Sequence, residues 1–241
     1  MVKVTDTLFF IPGQDDMIPD SHVYLIGDPA SNDLSMVDAG LMGKGRYKVQ
    51  SIKDAGIPLT AVKRVIMTHT HLDHIGCLSE IRKEIPAAAL WVQTLEAEAL
   101  ESGDDRTVYG MDMFKQMCMA QYRLAPGAFK FAVDRKLEDN EVLDIGGAAW
   151  QVLHIPGHSM GGIALYEPTE KILIPGDVVY ADYAIGRFDL YGANAAKLKE
   201  SLVRLGGLDV KILLPGHNSI VRDLPAGYIM QTAKQWAPYL R

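Results

Sequence analysis

His69-Thr70-His71-Leu72-Asp73-His74 is the stretch on which the reading of this 241-residue chain turns. It follows directly on an apolar strand-like run, Arg64 to Thr68. His69 and His71 are two positions apart, so on an extended segment leaving a strand both imidazoles project to one side and can share a metal ion. Asp73 and His74 fall at the turn into a helix, where the reversing chain offers a second group of donors. One short segment can thus feed two ions. From the chain's own residue frequencies, three histidines and one aspartate at these positions arise by chance on the order of a few times in ten thousand sequences.

Three later turns share one form, an apolar β run ending in Pro-Gly and then a metal-competent donor. They are Ile155-Pro156-Gly157-His158, Ile174-Pro175-Gly176-Asp177 and Leu214-Pro215-Gly216-His217. In each, glycine lets the backbone turn tightly, which brings the donor to the rim of a sheet. Imidazole and carboxylate donors without thiolate suit Zn²⁺, Fe²⁺ or Mn²⁺.

His-x-His-x-Asp-His, with Pro-Gly-His-Ser, Gly-Asp and Leu-Pro-Gly-His downstream, resembles the metallo-β-lactamase superfamily. The resemblance runs from LSMVDAG at Leu34 to Gly40 through the last of these turns. It implies an α/β fold, the αββα sandwich, in which two facing sheets carry helices on their outer faces. It also implies that His69, His71 and His158 hold one metal, that Asp73, His74 and His217 hold a second, and that Asp177 bridges them. Two divalent ions are therefore expected, zinc first, with Fe²⁺ or Mn²⁺ also suited. Ions about 3.5 to 4 Å apart can hold a hydroxide between them at neutral pH and polarise a substrate oxygen.

Asp73 would also orient that nucleophile by accepting its hydrogen bond. Asp38, in Val37-Asp38-Ala39-Gly40, is a candidate partner for the other ring nitrogen of a ligand histidine, against a purely structural turn aspartate. Tyr180, three residues past Asp177, matches a tyrosine that faces substrate in the acyl-homoserine-lactone lactonases, and would stabilise an oxyanion or protonate a leaving group; packing is the alternative. Tyr183 is a weaker candidate. His22 and His154 fall outside the metal set, Cys77 reads as a buried small hydrophobe, and Arg187 with Asp189 reads as a substrate contact or a structural pair.

The expected activity is hydrolysis of a carboxylic ester, thioester or lactone by a metal-bridging hydroxide. Asp177 sets the chain apart from true β-lactamases and toward glyoxalase II-type thioesterases and lactonases. Only 24 residues follow His217, too few for the glutathione-recognising helical region of glyoxalase II. The alternative is a persulfide dioxygenase-like enzyme with a single Fe²⁺ on His71, His158 and Asp177. A relic binding module fits poorly, because every ligand position carries a competent donor.

Outward from the motif, β-like runs at Val2 to Ile11, His22 to Ile26 and Leu34 to Val37 precede a helix at Arg46 to Ala55. A helix is expected to start near His74 and to stop before Pro86. A strand at Leu90 to Val92 and a helix at Thr94 to Glu101 close the first half. The second half reads as strands at Glu141 to Ile145, Ala149 to Ile155, Gly162 to Tyr166, Lys171 to Ile174 and Val210 to Leu214. Helices are expected at Ala193 to Leu205 and Pro225 to Tyr239. Residues 102–130, with Met111, Met113, Met117 and Met119 beside Tyr109, Phe114, Tyr122 and Phe129, read as an insert: a lid, a satellite core or a homodimer contact.

A single domain spanning 1–241 is expected, since layered domains of this length commonly stay undivided. Apolar residues make up 48% and charged residues 22%, an ordinary globular balance. The net charge of -6 repels phosphate backbones, so the expected partner is a small acyl substrate rather than nucleic acid. No apolar run reaches the length that spans a bilayer, and the opening residues carry no secretory pattern, which points to the cytoplasm. Two cysteines, Cys77 and Cys118, make no disulfide framework.

Overall fold

The computed structural model describes residues 1–14 and 18–241, which form two compact units. The first comprises Met1–Leu137 with Asp144–Ala148, the second Glu138–Leu143 with Ala149–Arg241.

The first unit is built on a seven-stranded sheet with strands in chain order: β1 (Val2–Thr5), β2 (Leu8–Ile11), β3 (Val23–Ile26), β4 (Leu34–Val37), β5 (Val62–Ile66), β6 (Ala89–Gln93) and β7 (Arg135–Leu137). β1 to β4 run as an antiparallel meander, whereas β4 to β7 pair in parallel through helical crossovers. Those helices are α1 (Gly45–Asp54), α2 (Leu72–Ile75), α3 (Leu78–Glu84), α4 (Thr94–Ser102), α5 (Arg106–Tyr109) and α6 (Asp112–Tyr122). β3 and β4 are buried throughout, as strands covered on both faces must be.

The helix expected near His74 begins earlier, at Leu72, and is interrupted at Gly76 and Cys77. A Cβ at Gly76 would stand 2.7 Å from the Met42 backbone nitrogen, so close approach of the Leu41–Lys44 loop fixes that break. β7 had no counterpart in the sequence reading, because Arg135-Lys136-Leu137 offers a single buried residue and no alternation to detect. Residues 102–130 divide chemically: Tyr109, Cys118 and Phe129 lie in the core of this unit, whereas Met111, Met113 and Met117 are exposed.

The second unit carries a five-stranded sheet in the order β12-β11-β10-β9-β8. Its strands are β8 (Val142–Ile145), β9 (Ala148–His154), β10 (Ile163–Glu167), β11 (Ile172–Ile174) and β12 (Ile212–Leu213), with helices α7 (Ala195–Gly206) and α8 (Tyr228–Trp236). The β8–β9 tip, 144–148, clusters with the first unit. Asn194 caps α7 by accepting a hydrogen bond from Lys197 N at 2.9 Å. Leu198, Leu202 and Leu205 then recur at helical spacing and share a buried cluster with Leu153 and Leu213 of the sheet, Ile155 just past β9, and Ile229 and Ala233 of α8. Among the described residues, no helix is long and apolar enough to cross a membrane.

Candidate metal centre

Parallel pairing fixes where the first group of donors emerges. Val37 of β4 stands opposite Ile66 of β5, so Asp38 and the Thr68–His69 segment leave the same edge of the sheet. Asp38 N donates to Ile66 O at 2.9 Å. The Asp38 carboxylate is almost fully buried and saturated: Oδ1 accepts from Thr68 N at 2.7 Å, and Oδ2 meets Thr68 Oγ1 at 2.7 Å and His74 Nδ1 at 2.9 Å. Asp38 also holds a φ of 61°, a left-handed conformation uncommon for a residue with a side chain. With Nδ1 engaged by the carboxylate, His74 has Nε2 as its candidate ligand atom.

His69 is set in the same way, its Nδ1 lying 3.1 Å from Thr68 Oγ1. The ring of His69 lies 4.6 Å from that of His71 and 4.0 Å from that of His74, all three buried. Donor atoms of His69 and His71 come within 4.8 Å of each other. Asp73 Oδ2 stands 4.0 Å from His74 Nε2 and is the more accessible of the two. Three imidazoles and a carboxylate held this closely form a donor set of the kind a divalent metal requires.

The second unit gathers its donors by the same logic. β9 and β11 both pair antiparallel with β10, and β12 pairs parallel with β11, so β9, β11 and β12 point one way. The Pro-Gly turns that follow them therefore share one edge. Gly157 adopts a φ of 136°, and a Cβ there would stand 2.2 Å from Leu198 N, so only glycine fits between the His158 turn and α7. His158 Nδ1 lies 2.7 Å from Arg187 O, which leaves Nε2 facing Asp177 Oδ2 at 3.7 Å. His217 Nε2 approaches the same oxygen at 3.4 Å. One carboxylate oxygen thus lies close to a ring nitrogen of each of two imidazoles, a separation that donors to a common metal ion can have. Tyr180 is buried, with its ring 6.3 Å from that of His217.

The side chains of the remaining candidates make other contacts. His22 Nδ1 accepts from Gly13 N at 2.9 Å, and His154 Nε2 lies 3.0 Å from Met160 O. Arg187 forms an exposed two-pronged pair with Asp189, both contacts at 2.8 Å. Tyr183 stacks on Tyr228 with ring centres 4.4 Å apart. Cys77 is fully buried, donates to Leu41 O, and burial pushes its thiol far up from the ordinary range.

Sequence reasoning did not find Thr68 or the Arg187 carbonyl. Thr68 adjoins the motif and could have been flagged as a hydroxyl between a strand end and a ligand. The carbonyl carries no side-chain signal at all; its only trace is Gly186, where a Cβ would sit 1.9 Å from Asp177 O.

The family model described as "Metallo-beta-lactamase superfamily" matches residues 19–217. A probable metallo-hydrolase of Streptococcus pyogenes is 29% identical over 194 residues, 80% of this chain and 73% of that protein. The acyl-coenzyme A thioesterase MBLAC2 of Bos taurus is 34% identical over 66% of this chain and 56% of its own length. The hydroxyacylglutathione hydrolase GloC of Haemophilus influenzae is 26% identical, covering 81% and 84%. Among solved structures, the subclass B3 metallo-β-lactamase BJP-1 of Bradyrhizobium japonicum superposes with a TM-score of 0.72 at 19% identity, over 98% of this chain and 90% of that one. TTHA1623, solved in a di-iron-bound form, gives a TM-score of 0.68 at 24% identity, over 92% and 98%.

Proposed function

This chain belongs to the metallo-β-lactamase superfamily and has its α/β sandwich fold, and on that premise we propose that it is a dinuclear metal-dependent hydrolase of carboxylic esters, thioesters or lactones. The observation that carries the reading is Asp177 Oδ2, approached by His158 Nε2 at 3.7 Å and by His217 Nε2 at 3.4 Å. On this reading residues 1–241 act as one catalytic domain. His69, His71 and His158 would hold one ion and Asp73, His74 and His217 the other, with Asp177 available to both.

The donor chemistry fits two divalent ions, with zinc the first choice. When bound, they supply an activated water at neutral pH and polarise a carbonyl. The chain's own residues do the rest. Asp73, the more accessible member of its pair, would accept a hydrogen bond from the nucleophilic water and so aim its oxygen at the acyl carbon. Asp38 and the Arg187 carbonyl lock the rings of His74 and His158, so that little reorganisation is needed as charge develops. The Tyr180 phenol, beside His217, is assigned to the developing oxyanion or the leaving group. The acyl-coenzyme A thioesterase and the hydroxyacylglutathione hydrolase among the relatives support an acyl substrate. The exposed methionines of α6 are the candidates for a lid or a homodimer contact.

Purified chain loaded with Zn²⁺ should bind two equivalents and cleave members of a panel of acyl esters, acyl thioesters and lactones. A panel without a single substrate would refute the hydrolase assignment. One iron per chain with sulfide-dependent oxygen uptake would establish instead the mononuclear arrangement on His71, His158 and Asp177.

A further inference from the structure

Lys48 and Asp20 form an ion pair whose side chains are both fully buried, with Lys48 Nζ 3.0 Å from Asp20 Oδ2. Burying two charges gains little by itself, since desolvation offsets their attraction. The contacts around this pair give it a more specific purpose. Asp20 Oδ1 accepts from Leu41 N at 2.7 Å, and Oδ2 accepts from Gln14 N at 2.8 Å. Lys48 Nζ donates to Ser21 O at 2.8 Å. Ser21 N in turn donates to the main-chain carbonyl of Asp73 at 3.1 Å.

A second path leads from the same pair to the neighbouring donor. Gly40 lies so close that a Cβ would meet Asp20 Oδ1 at 2.6 Å and Lys48 Cε at 2.8 Å. Gly40 N and Ala39 N both donate to the main-chain carbonyl of His74, each at 2.8 Å. The carbonyls of Asp73 and His74 are therefore gripped by two segments, 20–21 and 39–41, and both segments are fastened to the one buried ion pair. Burial lowers the Lys48 pKa and outweighs the opposing attraction of Asp20, so the pair is held by its hydrogen-bond geometry rather than by surplus attraction.

We infer that the Lys48–Asp20 pair is a positioning device that sets the backbone of the Asp73–His74 ligand pair, and so governs the affinity and geometry of the metal held there. The inference rests on the proposed dinuclear function. It separates the two metals, because the contacts above hold the carbonyls of Asp73 and His74, not those of His69 and His71.

The test uses the full chain and Co²⁺ alone as probe. The double variant Asp20→Asn/Lys48→Met removes both charges and so avoids stranding either one. It is expected to keep a cooperative thermal transition and to retain one Co²⁺ at wild-type affinity. The second should bind at least tenfold more weakly, with an altered visible absorption band, and kcat should fall more than KM rises. A folded double variant that holds two Co²⁺ at wild-type affinity with an unchanged spectrum overturns the inference alone. A wild-type chain that takes up no second Co²⁺ overturns the dinuclear reading, and this one with it. Should the double variant lose its cooperative transition, Asp20→Asn/Lys48→Gln, which removes both charges but keeps hydrogen-bonding groups at both ends, is read by the same affinity and spectral criteria, with the same results expected and excluded.

Discussion

Replacing Asp38 with asparagine isolates one hydrogen bond on which the proposed metal centre would depend. Asparagine has the same shape and tolerates the left-handed backbone that Asp38 adopts at a φ of 61°, so the turn itself is not strained further. The carboxylate offers one oxygen to Thr68 N at 2.7 Å and the other to His74 Nδ1 at 2.9 Å. An asparagine has a single acceptor oxygen for these two N–H groups. Whichever it serves, its amide nitrogen faces the other, and the charge that strengthens the His74 contact is gone. Hydrogen bonds to charged groups are worth about 1.5–3 kcal/mol. If that loss falls on the orientation of His74, it translates to roughly 10- to 150-fold weaker binding of the metal that His74 holds. Losses of about 10- to 100-fold are usual when such supporting partners of ligand histidines are changed. Competition with a chromophoric chelator measures the two affinities, and thermal unfolding of the metal-free chain checks the fold. A variant whose two metal affinities both stay within about threefold of wild type would refute the argument that Asp38 sets the His74 ring.

Asp73→Asn should leave the fold intact and abolish turnover, seen as loss of kcat against the best substrate of the acyl panel; undiminished kcat would remove Asp73 from the chemistry. Gly157→Ala should destabilise the chain by about 2–4 kcal/mol in chemical denaturation, because its Cβ would stand 2.2 Å from Leu198 N in a backbone with φ of 136°. Burial pushes the Cys118 thiol up from 9.0 to about 11. Its unfolded form therefore releases a proton first as pH rises, so stability present below pH 9 should decline between about pH 9 and 11. The melting temperature of Cys118→Ala should fall less than that of wild type across this window, and parallel curves would contradict the assignment.

The candidate donors were legible in the sequence because metal chemistry restricts residue types and strand-end turns restrict spacing. His69, His71, Asp73 and His74 come from one segment, and His158, Asp177 and His217 follow three Pro-Gly turns after apolar runs. Most strands and helices were legible for the same local reason. The short β7 was not, since three residues with one buried side chain carry no period, and neither was the break at Gly76–Cys77, which a neighbouring loop imposes.

By itself, then, the sequence determined which side chains are competent to bind metal and that each leaves a sheet at a strand end. Only the tertiary structure decided which ring nitrogen His74 and His158 present. That choice depends on partners far along the chain: Asp38 for Thr68, 30 residues away, 36 for His74, and a main-chain carbonyl 29 residues beyond His158. Strand register brings these groups together, and register is set by packing across the whole sheet rather than by any local pattern. The burial of Lys48 against Asp20 belongs to the same category, because a lysine on an amphipathic helix reads as a solvent-facing residue until the loop that covers it is in place.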